Sequence, residues 1–232
     1  MRWSRGPAAG LAVGCAAILA LTAGVLPAKA QAPPSSRFVV VIDAAHGGAD
    51  AGGRLSSGQL EKNVTLELSV RLRSLLAARG IAVTTTRESD IDVDAVRRAE
   101  IANHARAGAC LSLHASETGS GIHLFTSSLA PTQPARFEAW KTAQGAWISR
   151  SLALAGAINF ALLHAGFDVT LSRTALTAVD SMTCPALALE VAPARGADGK
   201  VTAEPDDATY QASVANALAS ALLEWRMEGR QP

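Results

Sequence analysis

The sequence predicts an α/β fold, a single domain with a mainly parallel sheet of about six strands and helices on both faces. Short apolar runs alternate along the chain with longer amphipathic segments, which is the order expected of parallel strands joined by crossover helices. The first run, 38–42, is continuously apolar and largely β-branched, as in a strand that is covered on both faces. No internal repeat and no linker to a second domain interrupts this alternation.

The predicted elements follow one another in a regular order. After the first strand, a helix is expected from Asn63, which can cap it, to Arg79, with Gly80 ending it. The other predicted strands are 81–86, 110–114, a hairpin-like piece at 121–126, and 185–191. The other predicted helices are 92–107, 136–163 and 208–225.

The composition excludes two broad classes of protein. The 232 residues include 21 Lys and Arg against 20 Asp and Glu, and 49% of the residues are hydrophobic. A chain this apolar and this evenly charged can bury a core, unlike a disordered chain. Its net charge of +1 also lacks the clustered positive charge that binding to a nucleic-acid backbone requires. We therefore expect a globular protein with no nucleic-acid partner.

The N-terminus has the layout of a signal peptide. Arg2 and Arg5 precede an uncharged run at 6–28 that is rich in Ala, Leu and Gly, and the small-x-small pattern at 28–30 follows. We expect cleavage after Ala30 and export to the periplasm or cell envelope. Cleavage would leave 202 residues with 18 basic and 20 acidic side chains, a slightly acidic protein of ordinary domain size.

Two alternatives to a cleaved signal peptide are an uncleaved membrane anchor and lipidation at Cys15. The apolar run is barely long enough to span a bilayer, is diluted by Gly and Pro, and continues well beyond Cys15. We therefore expect no stable membrane anchor after cleavage. Residues 31–36 then form a short Pro/Ser-rich leader, and residues 37–227 form the predicted α/β domain.

Cys110 and Cys184 are the cysteines that remain after the expected cleavage. Each begins a short apolar run that has the pattern of a buried strand. If the two strands are neighbours, a disulfide can join them, because an exported protein meets an oxidising compartment. The alternative is two buried free thiols, which behave as small hydrophobic groups. The sequence leaves both open.

Three polar residues stand where a parallel sheet places its ligands. His46, His114 and Glu190 each lie at or just beyond the end of an apolar run, and the carboxyl ends of parallel strands form one rim. Two imidazoles and a carboxylate are a zinc-type ligand set that leaves a fourth position for water. Spacing alone therefore favours a metal site with these three ligands, against the alternative of ordinary surface or core groups. The glycines at 47–53 fit neither the dinucleotide fingerprint nor the P-loop.

Five motifs in order resemble those of the zinc-dependent N-acetylmuramoyl-L-alanine amidases of the amidase-3 family. They are Asp43-Ala44-Ala45-His46-Gly47-Gly48, Glu61-Lys62-Asn63-Val64, Arg87, the pair Arg98–Asn103 and Ser112–Ala115, and Pro185–Val191. The similarity extends from about Arg37 to Trp225. The resemblance implies that His46, Glu61 and His114 bind zinc. It also implies that Glu190 is the catalytic carboxylate rather than a ligand.

The resemblance implies hydrolysis of the amide between N-acetylmuramic acid and the first L-alanine of the peptidoglycan stem, in cell-wall remodelling or daughter-cell separation. Glu190 would take a proton from water and return it to the leaving amine. Two other functions remain open at this point. One is a weakened relative that binds muropeptides without cutting them, and the other is a zinc peptidase that acts on stem peptides.

Four further residues are candidates for supporting roles. Asn103 and Glu100 can orient a metal ligand, since metal-bound His usually needs a hydrogen bond at its second nitrogen, or they can lie on a helix surface. Arg87 and Arg173 can contact stem-peptide carboxylates or form surface ion pairs.

The chain departs from the family pattern in three places. Ala44 and Ala45 stand where the family usually has Pro-Gly, and Ser116 stands where it commonly has Asn. The stretch 190–196 replaces the usual Glu-x-Gly-Phe-x-Ser-Asn, so that the loop beside the catalytic carboxylate differs.

The segment between Phe125 and Ser151 is longer than a tight strand-to-helix connection needs. Loops longer than about 12 to 15 residues in compact domains are usually functional. One hypothesis is that residues 131–147 form a helical flap beside the metal, which wall substrate or a regulatory protein partner displaces. The alternative is an N-terminal extension of the following core helix.

Overall fold

The computed structural model describes residues 1–3, 6, 38–133 and 139–229. The chain divides into two units, 1–35 and 36–232, and every element below belongs to the second. The predicted signal peptide and leader fall almost wholly outside the described residues, as does the part of the predicted flap at 134–138.

A six-stranded sheet forms the centre of the domain. Its strands are β1 Val39–Ala44, β2 Ala82–Thr85, β3 Ala109–Ala115, β4 Ile122–Ser127, β5 Val169–Thr174 and β6 Ala186–Val191. Their order across the sheet is β2-β1-β3-β6-β4-β5. Strands β2, β1, β3 and β6 are parallel to one another. Strand β4 runs antiparallel to β6, and β5 runs parallel to β4. The prediction of a mainly parallel sheet of about six strands is confirmed.

Four helices connect and cover the strands. They are α1 Glu61–Ala78, α2 Ala95–Ala105, α3 Ile148–His164 and α4 Ala208–Glu228. The prediction that Asn63 caps α1 is wrong, because the helix already begins at Glu61, with Leu60 at the N-cap position. The backbone N–H of Glu61 instead donates to the Gly53 carbonyl. Asp94 caps α2, since its side chain accepts a hydrogen bond from the Arg97 backbone N–H.

Helices pack on both faces of the sheet, as predicted. On one face, α1, α3 and α4 bury a large apolar cluster against the strands. On the other face, α2 and a short 3-10 helix at Val179–Ser181 bury a smaller cluster that includes Val41 and Ala99. The helical stretch Trp140–His164 is long and apolar enough to cross a membrane by composition, with a mean hydropathy of 1.4. Leu154 and Ile158 of this stretch are nevertheless fully buried in the core of the domain.

The described part of the predicted flap packs against the core. Residues Trp140–Trp147 form 3-10 turns, with a kink at Thr142, that run directly into α3. The fully buried Gln144 donates hydrogen bonds to the carbonyls of Met182, at 2.8 Å, and Cys184, at 3.1 Å. Its side chain also accepts from Ser151, whose hydroxyl in turn accepts from the backbone N–H of Ala186. These contacts favour the extension of the core helix over a flap for residues 140–147.

A disulfide joins Cys110 and Cys184, with their Cα atoms 6.3 Å apart. Cys110 lies near the beginning of β3, and Cys184 lies two residues before the neighbouring strand β6. Both side chains are fully buried in the smaller apolar cluster. Of the two possibilities that the sequence left open, the structure contains the disulfide.

We expect the loss of this disulfide to destabilise the domain. Replacing both Cys110 and Cys184 with Ala should lower the free energy of unfolding by about 2 to 5 kcal/mol, since the crosslink closes a long loop in the unfolded chain. Denaturant unfolding measures the change. Reductant should lower the denaturant midpoint of the wild type and should not change the midpoint of the double variant. Equal midpoints for the two proteins, with and without reductant, would contradict the prediction.

Candidate functional site

One row of the sheet carries three polar residues side by side. The register pairs His114 of β3 with Glu190 of β6, and Glu190 with His123 of β4. Residues paired across neighbouring strands point to the same face of a sheet, so these three side chains share the face that α2 covers farther down the strands. All three are half-buried at the rim. Residue spacing predicts His114 and Glu190 as site residues and assigns no role to His123.

His46 reaches this rim from the loop after β1 in an unusual backbone conformation. Its φ is 62°, and such a conformation costs a non-glycine residue about 1 to 3 kcal/mol. Two buried arginines hold the loop. Arg98 donates to the carbonyls of Ala44 and His46, both at 2.7 Å, and Arg87 donates to those of Ala44 and Ala45, both at 2.9 Å. These hydrogen bonds stabilise the turn that directs the imidazole of His46 to the site.

Asp43 balances the charge of Arg98 in the interior. Its Oδ1 accepts from the Arg98 guanidinium and from the hydroxyl of Thr86, and its Oδ2 accepts from the hydroxyl of Ser112 at 2.7 Å. Asp43 is 1% exposed, so that a buried charge here requires these partners. Asp43 and His46 of the first motif thus have different tasks, since Asp43 supports the loop and His46 lies in the site.

Glu61, the first residue of α1, lies between the two histidines. Its Oε2 is 3.1 Å from His46 Nε2, and its Oε1 is 3.0 Å from His114 Nδ1. Backbone N–H groups of Gly53 and Ala115 donate to the same carboxylate at 2.9 and 3.2 Å. The neighbouring loop comes so close that a Cβ at Gly52 would lie 2.7 Å from Glu61 Oε2.

The environment keeps this carboxylate ionised. Burial opposes the charge of Glu61, but hydrogen bonds with His114 and His46 outweigh it and hold the pKa of Glu61 well below its usual range. The hydrogen bond with Glu61 is also the main reason that the pKa of His46 is raised. One donor atom from each of His46, Glu61 and His114 lies within 4.8 Å of the other two. Two nitrogens and one carboxylate oxygen fit the ligand chemistry of a zinc-type site, so the three residues form a potential metal site.

Asp50 orients His46 and was not identified from the sequence. Its Oδ2 lies 2.8 Å from His46 Nδ1, while its Oδ1 accepts from the backbone N–H of Gly52. Metal-bound histidines commonly use such a carboxylate to fix the tautomer and the orientation of the ring. The contact leaves Nε2 of His46 directed to Glu61. The spacing of four residues in a glycine-rich loop carries no signal that would have revealed this pair.

We expect Asp50→Ala to weaken metal binding without abolishing it. Loss of a carboxylate that supports a metal-bound histidine typically reduces metal affinity about 10- to 100-fold. Competition with a chelator of known affinity measures the dissociation constant. Glu67→Ala, which removes an exposed carboxylate from the middle of α1, is the matched control. Equal affinities for Asp50→Ala and the control would show that Asp50 does not support the ligand.

Arg87 does not fit either role that the sequence allowed it. It is 3% exposed and donates its hydrogen bonds to backbone carbonyls and to Thr65, so that it neither forms a surface ion pair nor reaches a substrate carboxylate. Arg173 donates to the carbonyls of Ser127 and Leu129. Arg173 of β5 pairs with Thr126 of β4, which lies three residues after His123. Because successive side chains of a strand point to opposite faces, Arg173 lies on the face of the sheet opposite to His123.

Asn103 and Glu100 also lie apart from the metal residues. Asn103 donates to the carbonyl of Ser181 and accepts from the backbone N–H of Thr183, so that it fixes the chain just before Cys184. The partly exposed carboxylate of Glu100 pairs with Arg97 at 3.2 Å on the surface of α2. The structure therefore brings together His46, Glu61, His114 and Glu190, but not these two candidates.

A groove of about 480 Å³ opens beside His46 and His114. Its walls are the start of α2 with the residues before it, 93–95, and the segment 175–178, which consists mainly of small or apolar residues. The base includes Asp43 and Ser112 of the sheet. The groove therefore gives solvent access to His46 and His114.

Comparison with known proteins places this geometry in a family. The model of the family Amidase_3, described as N-acetylmuramoyl-L-alanine amidase, matches residues 40–224. The chain belongs to the Amidase_3 family. The match includes every strand of the main sheet except the first residue of β1, and all four residues of the site.

Individual relatives of this Amidase_3 chain match over shorter stretches. The germination-specific N-acetylmuramoyl-L-alanine amidase of Bacillus subtilis is 36% identical over 95 residues, which cover 35% of this chain and 40% of that relative. The chain thus spans less than half the length of this curated relative.

Solved structures show the same fold at lower identity. The catalytic domain of CwlV from Bacillus (Paenibacillus) polymyxa superposes with a TM-score of 0.64 at 23% identity, covering 82% of this chain and 98% of that one. CwlD of Clostridioides difficile, in complex with the GerS lipoprotein, has a TM-score of 0.60 at 19% identity, covering 82% and 99%.

The loop after Glu190 differs from the usual Amidase_3 pattern, and the structure shows what replaces it. Two short strands, β7 Ala194–Arg195 and β8 Val201–Ala203, form a small antiparallel hairpin that the sequence did not predict. The guanidinium of Arg195 donates to the carbonyl of Gly119 at 3.3 Å, on the loop between β3 and β4. The altered loop therefore contacts the chain next to His123.

Proposed function

We propose that this protein is a zinc-dependent N-acetylmuramoyl-L-alanine amidase, which hydrolyses the amide between N-acetylmuramic acid and the first L-alanine of peptidoglycan. The observation that carries the proposal is the convergence of His46, Glu61 and His114, with Glu190 beside His114 in the register, within an Amidase_3 domain. This set offers three ligands and one separate carboxylate, which are the groups that metal-assisted amide hydrolysis requires.

Each residue of the site has a distinct task in this proposal. His46, Glu61 and His114 would hold the ion, and bound zinc would supply Lewis acidity that polarises the scissile carbonyl and acidifies water. Glu190 first takes a proton from the attacking water and then gives it to the nitrogen of the leaving L-alanine. Glu190 can do both because it is half-exposed at the rim, next to the ligands but outside the ligand set.

We also propose that the protein is exported and acts in the periplasm or cell envelope after cleavage following Ala30. Two observations support this. Residues 1–30 have the layout of a signal peptide, and the domain contains a buried disulfide, which is typical of proteins in oxidising compartments. A regulatory protein partner is part of the same proposal, and it is supported by the fold that this chain shares with CwlD, whose structure is a complex with the GerS lipoprotein.

Digestion of purified sacculi tests the proposed activity. The mature protein with zinc should release peptides that begin with a free L-alanine amine and leave glycan strands without stems. Glycan strands that still carry shortened stems would instead indicate a peptidase. Binding to sacculi without any release would indicate a muropeptide-binding relative. Metal analysis of the same preparation should find about one zinc per chain, as expected for a single three-ligand site.

A further inference from the structure

His123 contacts the proposed catalytic carboxylate directly. Its Nδ1 lies 2.9 Å from Glu190 Oε1, and its Nε2 lies 3.1 Å from the carbonyl oxygen of Ser120. A carbonyl oxygen can only accept a hydrogen bond, so that Nε2 carries a proton. A second proton lies between Nδ1 and Oε1, so that when Glu190 is ionised Nδ1 donates it to Oε1 and the imidazole carries the positive charge of the pair. The imidazole therefore bridges a backbone carbonyl on one side and the carboxylate on the other.

The surrounding chain is shaped around this imidazole. Gly119 has a φ of +86°, and a Cβ there would lie 2.5 Å from Cε1 of His123. The ring of Phe125, two residues farther along β4 on the same face, meets His123 edge to face with the ring centroids 6.3 Å apart. His123 is thus held from the loop side and from the strand side, so its position relative to Glu190 is fixed by its neighbours.

The position of His123 separates it from the metal residues. Strand β6 lies between β3 and β4, so that Glu190 stands between His114 on one side and His123 on the other. Among the residues that the structure describes, His123 provides the hydrogen bond to the side chain of Glu190. A half-exposed glutamate without such a partner samples several rotamers, and catalysis is sensitive to small misplacements of a proton-transfer group.

We propose that His123 is a positioning residue for the hydrolysis, which orients Glu190 by donating its Nδ1–H to Oε1. This inference rests on the proposed amidase function. Oε1 stays occupied by His123, and Oε2 is the oxygen that takes the proton from water and passes it to the leaving amine. The proton on Nδ1 stays with the pair throughout. The consequence is that the proton-transfer step depends on a residue of β4 that lies outside the potential ligand set.

Three substitutions at His123 test this role with a soluble muropeptide substrate and loaded zinc enzyme. His123→Ala should reduce kcat about 10- to 100-fold, the usual effect of losing a group that orients a catalytic residue, with KM changed by less than about twofold. His123→Asn should restore most of kcat, because its amide nitrogen can occupy the position of Nδ1. His123→Gln should not, because its amide lies one bond farther out. Zinc content should equal that of the wild type in all three.

A substitution outside His123 gives an independent measurement. Gly119→Ala should lower kcat by displacing the imidazole, and it should lower kcat by a clearly smaller factor in the His123→Ala background, where that clash is absent and only the strain of the positive φ remains. His164→Ala, at the end of α3, is the control for loss of a histidine elsewhere. If the wild type is active and His123→Ala leaves kcat unchanged, the inference is overturned and the proposed function stands. An equal loss of kcat in His123→Asn and His123→Gln would have the same meaning. A wild type that cleaves no muropeptide would overturn both the proposed function and the inference.

Discussion

His46→Ala and His114→Ala should each yield a folded protein that retains little zinc after dialysis, where the wild type retains about one ion per chain. Removal of one of three protein ligands leaves too few to hold the ion. The donor atoms of His46, Glu61 and His114 lie within 4.8 Å of one another, and Glu190 and His123 lie outside this set. No activity on sacculi should remain in either variant.

Elemental analysis and circular dichroism measure the metal and the fold of these variants. His104→Ala is the matched control, because His104 lies on the exposed side of α2 and uses its Nδ1 to contact the Glu100 carbonyl. It should keep full zinc and full activity. Near-full zinc in both the His46 and His114 variants would refute the metal site.

Glu190→Gln should retain zinc while activity falls about 10²- to 10⁴-fold, which is the usual contribution of a positioned acid-base group. Glutamine has the shape of glutamate, but its amide cannot take up the proton from water. The expected loss lies in kcat, since the substitution leaves the ligand set intact. Glu117→Gln, an exposed carboxylate three residues after His114, is the matched control and should be fully active. Loss of zinc together with activity would instead make Glu190 a metal ligand.

Most of the architecture could be predicted because the central strands of the sheet are buried on both faces. Strands such as β1 and β6 are apolar runs, and glycines or capping residues separate them from the helices. Strand β5 could not be predicted in this way. It lies at the edge of the sheet, its residues are mostly exposed, and it therefore lacks an apolar run. The start of α1 was misplaced for a related reason, since the interactions that fix Glu61 come from a distant loop and from β3.

The site could be predicted only in part. His46, His114 and Glu190 followed from the rule that parallel strands place ligands at their carboxyl ends. Glu61 required the family resemblance, because it lies at the beginning of a helix rather than at the end of a strand. This rule does not identify His123, because His123 lies near the amino end of β4. Strand β4 is antiparallel to β6, so that its amino end lies at the same rim as the carboxyl end of β6.

The supporting residues were the least predictable part of the site. Glu88 and Asp90 follow Arg87 closely in the sequence, yet its guanidinium donates to carbonyl oxygens from two distant segments of the chain, 44–45 and Lys62. Such contacts depend on how loops pack and leave no pattern in residue spacing. The same holds for Asp50, whose role depends on the turn that the chain makes after His46.

The disulfide between Cys110 and Cys184 determines how the protein must be produced. Cys110 lies four residues before His114 on β3, and Cys184 lies six residues before Glu190, just ahead of β6. The crosslink therefore joins the two strands that carry His114, a proposed metal ligand, and Glu190, the proposed acid-base residue. Material made in a reducing cytoplasm would lack this tether. We expect recombinant expression in an oxidising compartment, or oxidative refolding, to be necessary before measured rates represent the native enzyme.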